Sequence, residues 1–289
     1  MKPAPFEYVR ARSVDEAVAA LAAHGGNAKV LAGGQSLVPM LNFRLVDAPV
    51  FVDINRIAEL SGVEETADGG LRIGALTRHR ILETSDLVRA RFPVIHAAMK
   101  HVAHLAIRNR GTIGGSLSHA DPAAELPAMA VLLDATIRTA SPSGGRAIPA
   151  REFFLAPLTT ALEEDELVVA VELPGLPGNT GWGFEEFAQR HGDFAIAGAA
   201  AIVGIEGGKC SFVRIALMGV HDTPFRAEAA ENILVGRAPD EAAIAEAARA
   251  VRDAVSPMDD LHASEDFRRH LAGVMTRRAL VEAVMRAGA

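Results

Sequence analysis

The chain has 289 residues and a formal charge of −7, from 29 Lys and Arg against 36 Asp and Glu. With 49% apolar and only 5% aromatic residues, a substantial core can be buried; wholesale disorder and a basic nucleic-acid-binding face are excluded. Cys210 is the only cysteine, which rules out an internal disulfide, a four-cysteine zinc site and an iron–sulfur cluster held by this chain alone.

The opening residues Met1 to Phe6 lack the apolar stretch of a signal peptide. The longest apolar run, Ala195 to Ile205, is too short for a bilayer span and is broken by Gly198 and Gly204. The expectation is a cytoplasmic protein. Ser13-Val14-Asp15-Glu16 reads as a capping box, Ala17, Val18, Leu21 and Ala22 follow at helical spacing, and Gly25-Gly26 supply the stop. Lys29 to Ala32 and Val50 to Ile54 read as strands, so residues 1–55 form a first small lobe.

Residues 56–174 form a second lobe. Gly62 to Glu65 and Leu71 to Gly74 flank Asp68-Gly69-Gly70 as a hairpin. A helical stretch runs from Arg78 to about Val102, interrupted near Pro93. Pro122 is expected as the first residue of a helix ending at Leu133. A hairpin from Thr136 to Pro149 and a strand from Leu167 to Leu173 complete the lobe. Gly175 to Asn179 is the linker candidate. Residues 179–289 then carry strands at Trp182–Gln189, Ala195–Ile205 and Ser211–Val220, and helices at Asp240–Val255 and Ser264–Met285. Strands grouped before helices indicate an α+β unit.

Two glycine segments stand out, Ala32-Gly33-Gly34-Gln35-Ser36 and Gly111-Thr112-Ile113-Gly114-Gly115-Ser116. Paired glycines permit positive φ and close approach, and successive amides in such turns converge on an anion. Two such hollows suit a pyrophosphate; the alternative is a pair of ordinary tight turns. On the first reading, Gly114→Val expels the ligand and leaves secondary structure intact. Asp121 and Glu125 either favour a helix N-terminus electrostatically or, at Glu125, accept from a sugar-like hydroxyl. His101 and His104, with His96 nearby, read as one helix edge. No Gly-x-Gly-x-x-Gly, P-loop, His-Glu-x-x-His or Gly-x-Ser-x-Gly is present.

Four ordered stretches carry a resemblance over nearly the whole chain: Pro5 to Tyr8 with Lys29 to Leu37, Ile107 to Ser116, Asp121 to Pro127, and Phe184 to Ala195. The chain resembles the FAD-binding medium subunit of molybdenum hydroxylases, the group that includes aerobic carbon monoxide dehydrogenase and xanthine dehydrogenase. That resemblance implies an α+β fold: a two-lobed, vanillyl-alcohol-oxidase-type FAD-binding domain followed by a smaller α+β domain. It assigns Lys29, Val30, Leu31, Ala32, Gly33, Gly34, Gln35, Ser36 and Leu37, with Thr112, Ile113, Gly114, Gly115 and Ser116, to the FAD diphosphate and its surroundings. Glu125 stands where relatives carry Asp against the flavin's sugar-like chain. Val169 matches an apolar position near the isoalloxazine, and Phe194 a position covering one face of that ring.

The function so implied is noncovalent FAD carriage and electron transfer in a heterotrimer. A large partner holds the molybdopterin cofactor, and a small partner holds two [2Fe–2S] clusters that feed the flavin, which passes electrons to an outside acceptor. A dimer of such heterotrimers is the expected assembly. No metal ligand and no catalytic acid, base or nucleophile is assigned to this chain. The alternatives are a stand-alone flavin oxidoreductase of the same fold, and a non-catalytic scaffold.

Overall fold

The computed structural model describes residues 2–288. The chain begins with a three-stranded parallel sheet in the order Glu7–Arg10, Val50–Asp53, Ala28–Leu31. Helix Val14–His24 packs on it through Ala17, Val18 and Leu21. The capping box forms in altered shape: Ser13 Oγ accepts from the Glu16 amide at 3.2 Å, but the Glu16 carboxylate takes the Arg12 amide at 2.8 Å. Gly25 closes the helix with φ 43°. The sequence reading missed the mostly exposed strand Glu7–Arg10, which carries no apolar period and is formed by its ladder with Val50–Asp53.

The second lobe is an antiparallel sheet in the order Val63–Glu65, Leu71–Gly74, Leu167–Leu173, Thr136–Ala140, Ala147–Pro149. Both expected hairpins and the central strand are present. The expected long helical stretch is three short helices, His79–Thr84, Asp86–Arg91 and Pro93–Ala98. Ser85 caps the second by accepting from the Val88 amide, and Pro93 opens the third. Because that third helix stops at Ala98, His101 and His104 share no helix edge.

The Pro122 expectation also needs correction. Asp121 Oδ1 accepts from the Ala123 amide at 2.9 Å, forming a turn that delays the helix to Glu125–Leu132. The Pro122 carbonyl is instead taken by the Gly219 amide at 2.8 Å, a direct tie to the C-terminal sheet.

That sheet is antiparallel, in the order Thr180–Ala188, Ala195–Glu206, Lys209–Met218, Phe225–Arg226. Helices Glu228–Leu234, Glu241–Ala254 and Glu265–Ala287 follow, the last two capped by Asp240 and Ser264. Gly181 and Gly183 let the terminal helix lie on the sheet, because a Cβ at either would overlap the carbonyl oxygen of Ala283 or Ala279. Strand Ala195–Glu206 is buried on both faces. Ala197, Ala199, Ala201 and Val203 enter the core with the C-terminal helices, while Ala200 and Ile202 enter the core of the second lobe. That double burial explains its continuous apolar run.

Candidate functional site

A cleft of about 1430 Å³ runs between the two lobes and under the C-terminal sheet. At one end the chain leaves strand Ala28–Leu31 and turns at Gly34, whose φ is 71°. Among the described residues, no amide from Ala32 to Leu37 donates to a protein acceptor, whereas the carbonyls of Gly34 and Ser36 take the amides of Val38 and Met40. The result is a row of amides without protein partners on residues that line the cleft, donors suited to an anion. Gln35 folds back, its Nε2 donating to the Gly33 carbonyl at 3.0 Å. Ser36 makes no capping bond. At Gly33 a Cβ would overlap the Arg110 carbonyl oxygen and come within 2.9 Å of Gly111 Cα, so this glycine brings the two segments into contact.

The second segment differs from its expected form. It opens the helix Ile113–His119, and its amides from Ile113 to Ser116 are consumed by protein. Ile113 donates to the Thr77 carbonyl (3.1 Å), Gly114 to the Ala75 carbonyl (2.9 Å), Ser116 to the Thr112 carbonyl (3.0 Å), and Gly115 to Thr112 Oγ1 (3.1 Å). The second amide hollow is therefore absent, because Thr112 acts as an N-cap. A Cβ on Gly114 would stand 2.7 Å from Ala75 Cβ, so this glycine serves packing. The expectation that Gly114→Val spares the fold is corrected accordingly. Thr112, Gly115 and Ser116 still line the cleft, opposite the open amides.

His79 supports this segment from behind. Its Nε2 lies 3.0 Å from the Thr112 carbonyl and must donate there, leaving Nδ1 bare and buried. Burial holds the imidazole neutral, with its pKa lowered to about 4.

Of the residues assigned in advance, Lys29, Val30, Ala32 to Leu37, Thr112, Gly114 to Ser116, Glu125 and Phe194 line this one cleft. Leu31 and Ile113 stand behind it. Leu31 supports Gly34 from below, and Ile113 is buried in the second-lobe core. Val169 is the bulge residue of its strand, where the pairing with Thr136–Ala140 shifts. Its carbonyl accepts from the Ala75 amide at 3.0 Å, while its neighbours Leu167 and Val168 reach the lining. Phe194 is 62% exposed at the mouth, and Glu125 is 6% exposed at the wall. Burial raises the Glu125 pKa to about 7.

The sequence reading missed the far rim, where Gly192, Gly219, Asp260 and Arg268 contribute. The Arg268 guanidinium donates to the carbonyls of Ile196 (2.6 Å) and Gly219 (3.0 Å) and to Asp260 (2.6 Å). The one local signal for this rim was its glycines, and Gly192 and Gly219 do take positive φ. Among the described residues no group of His, Cys, Asp and Glu could hold a metal ion, and no helix is long and apolar enough to cross a membrane.

A cleft larger than an ordinary small-molecule site, of roughly 300–1,000 Å³, with free amides at one end and an exposed ring at the mouth, fits a long phosphate-bearing cofactor such as FAD. Residues 4–176 match the FAD-binding domain of molybdopterin dehydrogenases, and residues 182–283 match the CO dehydrogenase flavoprotein C-terminal domain. The 6-hydroxypseudooxynicotine dehydrogenase complex subunit alpha of Paenarthrobacter nicotinovorans is 44% identical, over 99% of this chain and 97% of that one. A carbon monoxide dehydrogenase structure from Hydrogenophaga pseudoflava, lacking the Mo-pyranopterin moiety, superimposes with a TM-score of 0.97 at 42% identity, covering 99% of both chains. Quinoline 2-oxidoreductase from Pseudomonas putida 86 gives a TM-score of 0.94 at 39% identity, again covering 99% of both chains. The chain belongs to the family of FAD-binding medium subunits of molybdenum-containing dehydrogenases. It is thus an oxidoreductase subunit whose cofactor is FAD.

Proposed function

We propose that this chain relays electrons within a heterotrimeric molybdenum hydroxylase, from [2Fe–2S] clusters on a small partner, through its own FAD, to an outside acceptor. A large partner holds the molybdenum cofactor, and two heterotrimers associate. The carrying observation is the run of free amides from Ala32 to Leu37, which gives a diphosphate several donors from one side. FAD supplies the redox chemistry when bound; the protein contributes binding, orientation and exclusion of water. On this reading residues 1–55 and 56–174 are the two FAD-binding lobes and 179–289 the third unit. Val169 and Phe194 flank the ring region, with Phe194 exposed where an acceptor or partner approaches. The single free thiol, Cys210, accords with a cytoplasmic setting.

Co-expression with its partner subunits tests the reading. Rapid mixing of the assembled complex with substrate should bleach the cluster and flavin bands in succession, while the isolated yellow chain stays oxidised with the same substrate. A flavin reduced by substrate in the isolated chain would instead favour a stand-alone oxidoreductase.

A further inference from the structure

Three short segments meet at the far rim of the cleft, and the Arg268 guanidinium joins them. It donates to the Ile196 carbonyl, two residues beyond Phe194, and to the Gly219 carbonyl, three residues before Asp222. It also donates to Asp260, which stands between Met258 and Leu261. Asp260 Oδ1 accepts from the His262 and Ala263 amides at 2.8 and 2.9 Å, so this turn is held by its own hydrogen bonds. Beside Arg268 on the terminal helix, the Phe267 ring meets Phe187 edge-on, with centroids 6.0 Å apart.

These contacts gather Phe187, Phe194, Met258, Leu261 and Phe267, all exposed, at one end of the molecule. Leu261 is fully exposed and Met258 is 66% exposed. Phe194 and Met258 also line the cleft. A single exposed apolar side chain is ordinary; five collected beside a cofactor cleft mark a contact surface.

The charge around them is one-sided. Residues 187–195, 219–222 and 258–267 hold one Arg or Lys, Arg190. Asp260 is matched by Arg268, and Glu265 by Arg269. Asp193, Asp222, Asp259 and Asp266 are exposed, and among the described residues no Arg or Lys pairs with them. An apolar centre within an acidic rim is complementary to a partner whose apolar contact is ringed by Lys and Arg. A patch of five side chains suits a brief redox encounter, since permanent subunit interfaces are larger and more apolar throughout.

We propose that this end of the molecule docks the outside acceptor, and that the acceptor is a basic protein carrying a one-electron centre. This rests on the cleft holding FAD and on electrons leaving through it. Two such centres each gain one electron as one reduced flavin is reoxidised, and the protons of that flavin pass to water.

Ferric cytochrome c, small and basic, is the probe. Its reduction by the assembled complex should slow about tenfold or more from low to high ionic strength, because exposed charges steer its approach. Ferricyanide, a small anion, should show no such loss. Leu261→Ser and Asp266→Asn, both outside the cleft lining, should lower kcat/KM for cytochrome c severalfold without lowering the ferricyanide rate. Hydrogen exchange in residues 257–267 of the assembled complex should slow when cytochrome c is added. Cytochrome reduction indifferent to salt, a wild-type kcat/KM in both variants, or residues 257–267 already protected by assembly with the partner subunits would overturn the docking site. A chain that binds no FAD would defeat the functional reading instead, and the exchange measurement, which needs no flavin, would still decide the docking.

Discussion

Gly33 and Gly178 separate two uses of a glycine. A Cβ at Gly33 meets the Arg110 carbonyl and Gly111, whereas one at Gly178 meets nothing within 4 Å. Gly33→Ala should therefore push the two segments apart and lose flavin retention, with a stability cost of about 1–3 kcal/mol from overpacking. Gly178→Ala should leave both the absorption spectrum and the thermal midpoint unchanged. His79 gives a pH prediction. The fold keeps it neutral with a pKa near 4, so between its ordinary value of 6.5 and about 4 the unfolded chain binds the extra proton. Stability should then fall as pH drops through that window, by about 3 kcal/mol in full. His79→Gln should flatten this acid limb in urea titrations, and an unaltered limb would assign the dependence to another group.

At the scale of elements, a buried ionic cluster joins the second lobe to the C-terminal sheet. Glu231, on helix Glu228–Leu234, accepts from the Ile215 amide at 2.8 Å and pairs with Arg226. Arg226 also reaches Asp134 at 3.0 Å, and Arg214 reaches the same carboxylate at 2.7 Å. Glu231→Ala would leave Arg226 buried with a lost partner, and it should lower unfolding free energy by about 3–5 kcal/mol in denaturant. Elements announced by local chemistry were legible in the sequence: the cap Ser13, the two helices placed from Asp240 and Ser264 onward, and the strand Leu167–Leu173. The second glycine segment was misread because paired glycines serve helix packing as readily as anion binding. Sequence does not say where an amide points, and here Thr112, Ala75 and Thr77 had already claimed those N–H groups.

Across the whole molecule, much of the cleft was readable because its near walls are contiguous stretches, Lys29 to Leu37 and Thr112 to Ser116. Its far rim was not. Arg268 and Asp260 arrive from the end of the chain. The two cores share strand Ala195–Glu206, so Ile202→Ala should destabilise the chain by about 2–5 kcal/mol. Calorimetry should record the loss as one shifted transition; two separated transitions would mean that the cores melt independently.

Arg268 reaches from the terminal helix to grip the carbonyls of Ile196, two residues from Phe194, and of Gly219, the residue whose amide makes the Pro122 tie. The C-terminus is in effect the latch of a chamber whose floor was laid near the N-terminus. Clipping that last helix should cost the protein its yellow colour, although nearly all of the excised segment lies outside the chamber.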